Sequence, residues 1–149
     1  MAAAPLSPSD CPLCHQDGGL LLARHDKWRI IRATGADAAD FPGCYRVIWN
    51  AHVAEWTDLE PSDRSLLMQT VAQVETAVRR HLKPTKVNLA ALGNMVPHLH
   101  WHVIARFDWD NRFPAAVWAE PVRARDAQGL AALVARLPDC DAAIAALGN

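Results

Sequence analysis

Seven consecutive residues in the second half of this 149-residue chain alternate between histidine and apolar side chains, His98-Leu99-His100-Trp101-His102-Val103-Ile104. Successive side chains of a β-strand point to opposite faces of the sheet. A strand here therefore places three histidines on one face and Leu99, Trp101 and Val103 on a face that packs into a core. The segment thus requires a fold with a half-buried sheet whose other face carries three imidazoles.

The flanking sequence predicts an α+β domain with an antiparallel sheet. Short runs rich in apolar, β-branched and aromatic residues predict strands at 20–24, 28–33, 45–49, 86–92 and 99–106. An apolar stripe with spacings of three and four residues predicts one long helix over 61–82. A short C-terminal helix is expected from Asp126, a good N-cap, to about Leu137. Helices do not alternate with single strands, which argues against a βαβ array.

The length fits one domain, with a flexible N-terminus at 1–10, the main domain at 11–125 and a C-terminal helical extension at 126–149. The formal net charge is −1, so bulk electrostatics does not attract nucleic acid. No apolar run approaches the roughly 20 residues that cross a bilayer, and the first residues lack a signal-peptide pattern. We therefore expect a cytoplasmic protein that binds neither nucleic acid nor membranes.

Three imidazoles on one face can bind a metal ion or take part in a covalent reaction. On a straight strand the Cα atoms of His98 and His102 lie about 13 Å apart, whereas a zinc–nitrogen bond is only about 2 Å long. One ion held by all three is therefore strained, and another ligand would come from a different strand. Neutral imidazole is also a competent nucleophile, because its usual pKa is about 6.5. In that interpretation one histidine attacks phosphorus while its neighbours orient it and handle protons.

The motif at 98–104 resembles the signature of the histidine triad (HIT) family of nucleotide hydrolases and transferases. The surrounding order is similar as well: a strand leading to His52, then the long helix, then Asn88, Gly93 and Val96-Pro97. The resemblance covers roughly residues 11–118. It implies a HIT-like antiparallel sheet, a nucleotide substrate and a two-fold homodimer.

The resemblance also implies roles for single residues. His100 matches the nucleophile that attacks the α-phosphorus of a dinucleoside polyphosphate or a nucleoside phosphoramidate, after which water releases the nucleoside monophosphate. His102 matches the position beside the phosphate and the leaving group, and His98 completes the triad. The implied substrate-binding residues are Asn88, Gly93, Asn94 and, for the ribose, Asp37 or Asp40.

Two departures from the family pattern leave other functions open. Gly93-Asn94-Met95 stands where many relatives have Gly-Gln-Ser/Thr, so the hydroxyl group that touches phosphate is missing. Ala105-Arg106 follows the triad where Pro-Arg is frequent. A nucleotide-binding module with low turnover is therefore one alternative, and a metal-centred hydrolase that uses the histidines as zinc ligands is another.

Some HIT proteins bind zinc through a Cys-x-x-Cys pair, a histidine before the long helix and the first triad histidine. The matching residues are Cys11, Cys14, His52 and His98. Two thiolates and two imidazoles are an ordinary closed tetrahedral zinc set, so the resemblance implies a structural zinc ion. The alternative is that both cysteines are free thiols and that His52 hydrogen-bonds into the triad.

Overall fold

The computed structural model describes residues 7–149, without the side chain of Asp37. The expected flexible N-terminus at 1–10 lies mostly outside these residues. Within them, five strands form one antiparallel sheet in the order β1-β2-β3-β5-β4. The strands are β1 (Leu20–Arg24), β2 (Trp28–Arg32), β3 (Cys44–Trp49), β4 (Lys86–Ala90) and β5 (His100–Arg106). The helices are α1 (Pro12–His15), α2 (Pro61–Leu82), α3 (Ala127–Val134) and α4 (Leu137–Ala145). The predicted α+β class with an antiparallel sheet is confirmed.

Helix α2 has the predicted bounds, and local sequence explains both ends. Pro61 occupies the first turn, where its missing N–H has no intrahelical acceptor. Lys83 adopts a left-handed conformation with φ of 52°, and Pro84 follows it, so the helix ends there. The stripe of apolar side chains predicted from the spacing is fully buried against the sheet, and it comprises Leu67, Val71, Val74, Val78 and Leu82.

The C-terminal segment differs from the prediction of one helix, because it forms α3 and α4. Asp126 is the N-cap of α3, as expected, and its side chain accepts a hydrogen bond from the Gly129 N–H at 2.8 Å. Pro138 then lies in the first turn of α4, and a proline cannot continue the preceding helix. Both helices contribute to the main core, through Leu133, Leu137, Cys140 and Ile144. The domain boundary at 126 stays a prediction.

The two faces of the sheet have different roles. One face packs against α2 and α4, and it buries the side chains of Tyr45, Val47 and Val103. The other face is covered only in part, by the segment around α1 and by residues that follow β5. This second face carries the triad. Among residues 7–149, no helix is long and apolar enough to cross a membrane.

Candidate functional site

Strands β3 and β5 place the triad at the middle of the sheet. In their antiparallel register Ile48 lies opposite His100, and Arg46 lies opposite His102. His100 and His102 therefore share one face, as predicted, with ring centroids 4.9 Å apart. His98 precedes β5 and is fully buried. Pairing inside the sheet keeps the backbone of both strand histidines fixed.

The main chain determines which nitrogen of His100 carries the proton. Its Nδ1 lies 2.6 Å from the carbonyl oxygen of His98. A carbonyl only accepts hydrogen bonds, so Nδ1–H is the donor and Nε2 of the neutral ring keeps its lone pair. Burial lowers the pKa of His100, although the hydrogen bond to His98 opposes this effect. The ring is therefore a neutral base with a free Nε2 near pH 7.

His102 is a buried imidazole with an even lower proton affinity. Burial lowers its pKa to about 4, and the charges of His100 and Arg46 act in the same direction. The edge of its ring meets Trp118, with the two centroids 5.4 Å apart. His102 is consequently uncharged at neutral pH when the site is empty. Its single N–H is then available as a hydrogen-bond donor.

A cavity of about 570 Å³ opens over the two strand histidines. This volume falls within the range of small-molecule binding sites. Its polar lining residues are Arg46, Asn94, His100 and His102. Its apolar lining is formed mainly by Leu13, Leu92, Met95, Val96 and Trp118. The cavity thus combines two neutral imidazoles and one arginine with an apolar wall.

The loop before the triad brings Gly93 and Asn94 to this cavity. Gly93 adopts a φ of 74°, a left-handed conformation that glycine tolerates best. Met95, which replaces the hydroxyl residue of many relatives, lies at the cavity rim with 91% of its surface exposed. A thioether donates no hydrogen bond. The loop therefore offers the cavity the side chain of Asn94 but no hydroxyl group.

Asn88 is engaged by a buried arginine instead of lining the cavity. Its Oδ1 accepts a hydrogen bond from Arg106 at 2.8 Å. Arg106 also forms two hydrogen bonds with the Asp110 carboxylate, at 2.9 and 3.1 Å. Both charged groups are almost fully buried. In this structure Asn88 thus stabilises the end of β5.

Of the two candidate ribose-binding aspartates, Asp40 does not reach the cavity. Its carboxylate forms ion pairs with Arg112, at 2.7 Å, and with Arg125. The hydrogen bond from Arg112 is the main reason that the pKa of Asp40 lies below its usual value. Asp40 therefore ties the 35–43 loop to the segment after β5. The side chain of Asp37 lies outside the described residues, so its role stays a prediction.

The four predicted metal ligands come together although the first and the last are 87 positions apart in the sequence. Their ligand atoms all lie within 4.8 Å of one another. His98 Nδ1 is 3.4 Å from the sulfur of Cys11 and 3.6 Å from that of Cys14, and His52 Nδ1 is 3.3 Å from the latter. A tetrahedral zinc site has sulfur–nitrogen separations of about 3.5 Å. The group can hold a metal ion, and its donor set fits zinc.

Hydrogen bonds outside the cluster orient its ligands. His98 Nε2 donates to the carbonyl oxygen of Trp49 at 2.5 Å, so Nδ1 presents its lone pair to the sulfurs. Burial lowers the pKa of His98, which favours this neutral form. Burial raises the pKa of the Cys14 thiol. Metal binding would therefore release a thiol proton.

Two arginines of this face were not identified from the sequence. Arg29 is buried under the α1 segment and donates to the carbonyl oxygens of Leu13, Gln16 and Asp17, at 2.7 to 3.1 Å. Arg46 lines the cavity. In the sequence, each is a basic residue within a predicted strand, flanked by residues that are typical of a core. Strand pairing decides which face such a residue meets, and the pairing was unknown.

Comparisons with known proteins agree with this architecture. The family model of the HIT domain matches residues 26–109, more than half of the chain. A solved histidine triad protein from Bradyrhizobium japonicum is 27% identical, with a TM-score of 0.63 over 82% of this chain and 90% of that chain. No curated protein matches the chain.

Two further solved structures share the fold at lower identity. A histidine triad protein from Sinorhizobium meliloti is 22% identical, with a TM-score of 0.64 over 89% of this chain and 91% of that chain. A hypothetical histidine triad nucleotide-binding protein from Sulfolobus tokodaii is 17% identical, with a TM-score of 0.62 over 92% and 93%.

The matched segment contains β2 to β5, α2 and the three triad histidines, whereas Cys11, Cys14 and the C-terminal helices lie outside it. The resemblance first seen at residues 98–104 is therefore confirmed over most of the sheet. The chain belongs to the HIT domain family, whose members are generally nucleotide-binding hydrolases and transferases.

Proposed function

We propose that this protein cleaves a nucleotidyl substrate at its α-phosphate through a covalent intermediate on His100. The substrate is a dinucleoside polyphosphate or a nucleoside phosphoramidate. The observation that carries the proposal is the 2.6 Å hydrogen bond from His100 Nδ1 to the His98 carbonyl, which leaves Nε2 unprotonated at the cavity. A neutral imidazole held in one tautomer is a suitable nucleophile for phosphorus.

The reaction has two displacements. In the first, the Nε2 lone pair of His100 forms a bond to phosphorus while the bond to the leaving group breaks, and the leaving group departs with the electron pair and takes up a proton. In the second, water oxygen bonds to phosphorus, the Nε2–phosphorus bond breaks and its electron pair returns to the ring. The proton of water is released, and the products are the leaving group and a nucleoside monophosphate. The His98 carbonyl stabilises the ring charge of the intermediate.

His102 acts beside the phosphate. Its pKa of about 4 makes it neutral in the empty site, so it first contributes an N–H hydrogen bond. An anionic phosphate bound next to the ring raises the pKa of His102, because the charged form gains an opposite charge. In the complex with substrate, His102 is therefore protonated more readily and can donate a proton to the leaving group.

Cys11, Cys14, His52 and His98 would hold a structural zinc ion. The support is their convergence within 4.8 Å and the burial of Cys11 and His98. Four protein ligands complete a tetrahedral shell, which is typical of structural sites, whereas a metal-centred hydrolase needs an open position. The ion would cross-link the α1 segment to the loop that ends at His98, so it contributes to stability.

The homodimer and the cytoplasmic location belong to the same proposal. Within the described residues, β4 pairs with β5 alone and lies at the edge of the sheet, with Leu89 39% exposed. An open edge strand is a surface on which a second copy can pair. None of the four cysteines is in a disulfide, which agrees with a reducing compartment.

The test is release of AMP from adenosine phosphoramidate and from a diadenosine polyphosphate. We expect release by the native protein and by the control His25→Ala, an exposed histidine, and a loss of at least about 1000-fold in His100→Ala. Native protein denatured in alkali, in which a phosphorus–nitrogen bond survives, should carry a nucleotidyl group on His100. Activity that survives in His100→Ala would contradict the covalent mechanism and favour water bound to a metal.

A second candidate function is a nucleotide-binding module that turns over poorly. The exposed Met95 in place of a hydroxyl residue favours it, because one phosphate contact is lost. This function predicts AMP binding by the native protein without release of AMP from either substrate. The same assay therefore separates the two candidates.

A further inference from the structure

The mouth of the triad cavity is formed by large apolar side chains that water can reach. Leu92, Met95 and Trp118 all line the cavity, and 50%, 91% and 58% of their surfaces are exposed. Within residues 7–149, they are three of the eight exposed large apolar side chains. Exposed apolar groups gathered at one cavity mark a surface that contacts a ligand or a partner. We call these three residues the apolar rim.

Ring contacts connect the rim to the proposed nucleophile. The ring centroids of His100 and His102 are 4.9 Å apart, and those of His102 and Trp118 are 5.4 Å apart. His102 thus contacts both the nucleophile and the tryptophan. A proton donor must lie within hydrogen-bond reach of the atom that leaves. We therefore expect the leaving atom near His102, which brings the group attached to that atom close to Trp118.

The direction of the displacement also places the leaving group at the rim. When a nucleophile attacks phosphorus in line, the leaving atom lies on the side away from the attacking atom. His100 belongs to β5, over which the cavity opens. A group that leaves opposite its Nε2 therefore points away from the sheet and toward the mouth of the cavity. Leu92 and Met95, from the loop before the triad, line the cavity on that side.

The cavity offers few charged donors to a polyphosphate leaving group. Among the described residues, Arg46 is the one lysine or arginine that lines the cavity, and its Nη1 also donates to the Gly18 carbonyl at 3.4 Å. A polyphosphate carries several negative charges, and each needs donors that replace its bound water. An aliphatic or aromatic group instead gains free energy when it leaves water for an apolar surface.

We propose that the apolar rim binds the leaving group, and that the substrate is the nucleoside phosphoramidate of an amine with an aliphatic or aromatic substituent. This inference rests on the proposed function and chooses between its two substrate classes. Nε2 of His100 bonds to phosphorus while the phosphorus–nitrogen bond breaks. The nitrogen keeps that electron pair, takes a proton from protonated His102 and leaves as an amine. His102 regains a proton from the water that attacks phosphorus in the second displacement.

The experiment compares two adenosine phosphoramidates of equal length. One carries an N-hexyl group, and the other an N-hydroxyethoxyethyl group, in which two oxygens replace carbons. The quantity measured is kcat/KM for AMP release by the native protein, Met95→Ala, Trp118→Ala and the control Val122→Ser. Val122 is an exposed apolar residue that does not line the cavity.

The native protein should prefer the hexyl compound by at least about 10-fold, because each buried CH₂ group contributes about fourfold. Each rim variant should lower this preference by at least about fourfold, and Val122→Ser should keep it. Both rim residues are exposed, so their replacement should not prevent folding. The native protein should also cleave the hexyl compound at least about 10-fold more efficiently than a diadenosine polyphosphate.

Several results would overturn the inference while the proposed function stands, because AMP release persists in each. They are a native preference near one, rim variants that keep the native preference, and faster cleavage of the diadenosine polyphosphate. Calorimetry with AMP adds another: if the rim variants lose as much affinity for AMP as efficiency toward the hexyl compound, the rim holds the nucleoside instead. No AMP release from any of these compounds would contradict the proposed function itself, and the inference with it.

Discussion

His100 donates its Nδ1 hydrogen to the main-chain carbonyl of His98 across 2.6 Å, and the side chain of His98 belongs to the metal-ligand cluster. One residue thus takes part in both sites. Its backbone sets the tautomer of the proposed nucleophile, and its ring faces two thiols. The position of the nucleophile is therefore expected to depend on the integrity of the cluster.

Removal of the proposed zinc ion should destabilise the protein. Loss of a structural ion removes several kcal/mol of binding free energy, so we expect a chelator to lower Tm by about 10 °C. Differential scanning calorimetry measures the change in Tm. We also expect kcat to fall with KM little changed, because the metal ion no longer holds His98, whose carbonyl orients His100. Cys14→Ser is the control, because its Tm should be low already and insensitive to the chelator. Equal chelator effects on both proteins would contradict the assigned ligands.

Arg29→Met should weaken zinc binding without touching a ligand. The buried guanidinium holds the backbone of the α1 segment, and its loss leaves carbonyl oxygens of Leu13 and Gln16 without this donor. Groups that orient ligands typically contribute about 10- to 100-fold to metal affinity. Competition with a chromophoric chelator measures the change.

Arg24→Met is the matched control for this substitution. Arg24 is half-exposed and pairs with Asp17 at the surface. Its variant should keep native zinc affinity. If Arg29→Met binds zinc as tightly as the native protein does, the segment that contains Cys11 and Cys14 is held by the metal ion alone.

His102 should make stability depend on pH. Its pKa is about 4 in the folded protein, against 6.5 in the unfolded chain, so between these values the unfolded chain binds more protons. The free energy of unfolding therefore falls as pH drops from about 6.5 to 4, by up to about 3 kcal/mol from this residue. Urea unfolding of the zinc-free protein across this range measures it.

His102→Gln should show a shallower pH dependence over the same interval. His25→Gln, which changes an exposed histidine, should keep the native slope. If the His102 variant retains the native slope, the low pKa of the buried ring is not what couples stability to pH.

Asp40→Asn should affect stability more than ribose recognition. Its carboxylate pairs with Arg112 and Arg125, and an amide forms only weaker hydrogen bonds with them. We expect a loss of about 1 to 2 kcal/mol in the free energy of unfolding. The ratio of affinities for AMP and 2′-deoxy-AMP, measured by calorimetry, should stay unchanged. A reduced ratio would instead support the ribose contact that the family resemblance implies for Asp40.

Local periodicity was sufficient for much of the fold. The alternation at 98–104 and the stripe of α2 predicted a strand and a helix close to their observed positions, because each reflects a repeat of side-chain direction within one element. The C-terminal helix was predicted as one element, since its apolar residues continue past the break before Pro138. The metal ligands followed from the family resemblance, because Cys11 and His98 are 87 positions apart in the sequence.

What the sequence determined by itself is therefore the set of local elements and, through the motif, the triad. Only the tertiary structure decided which distant charges meet them. Pairing of β3 with β5 places Arg46 opposite His102, and Asp40 meets Arg112, 72 residues further along the chain. Long-range pairing depends on the packing of the whole core and on competing partners for each charge. A local pattern contains neither, so the positions and contacts of Arg29, Arg46 and Asp40 follow only from the folded chain.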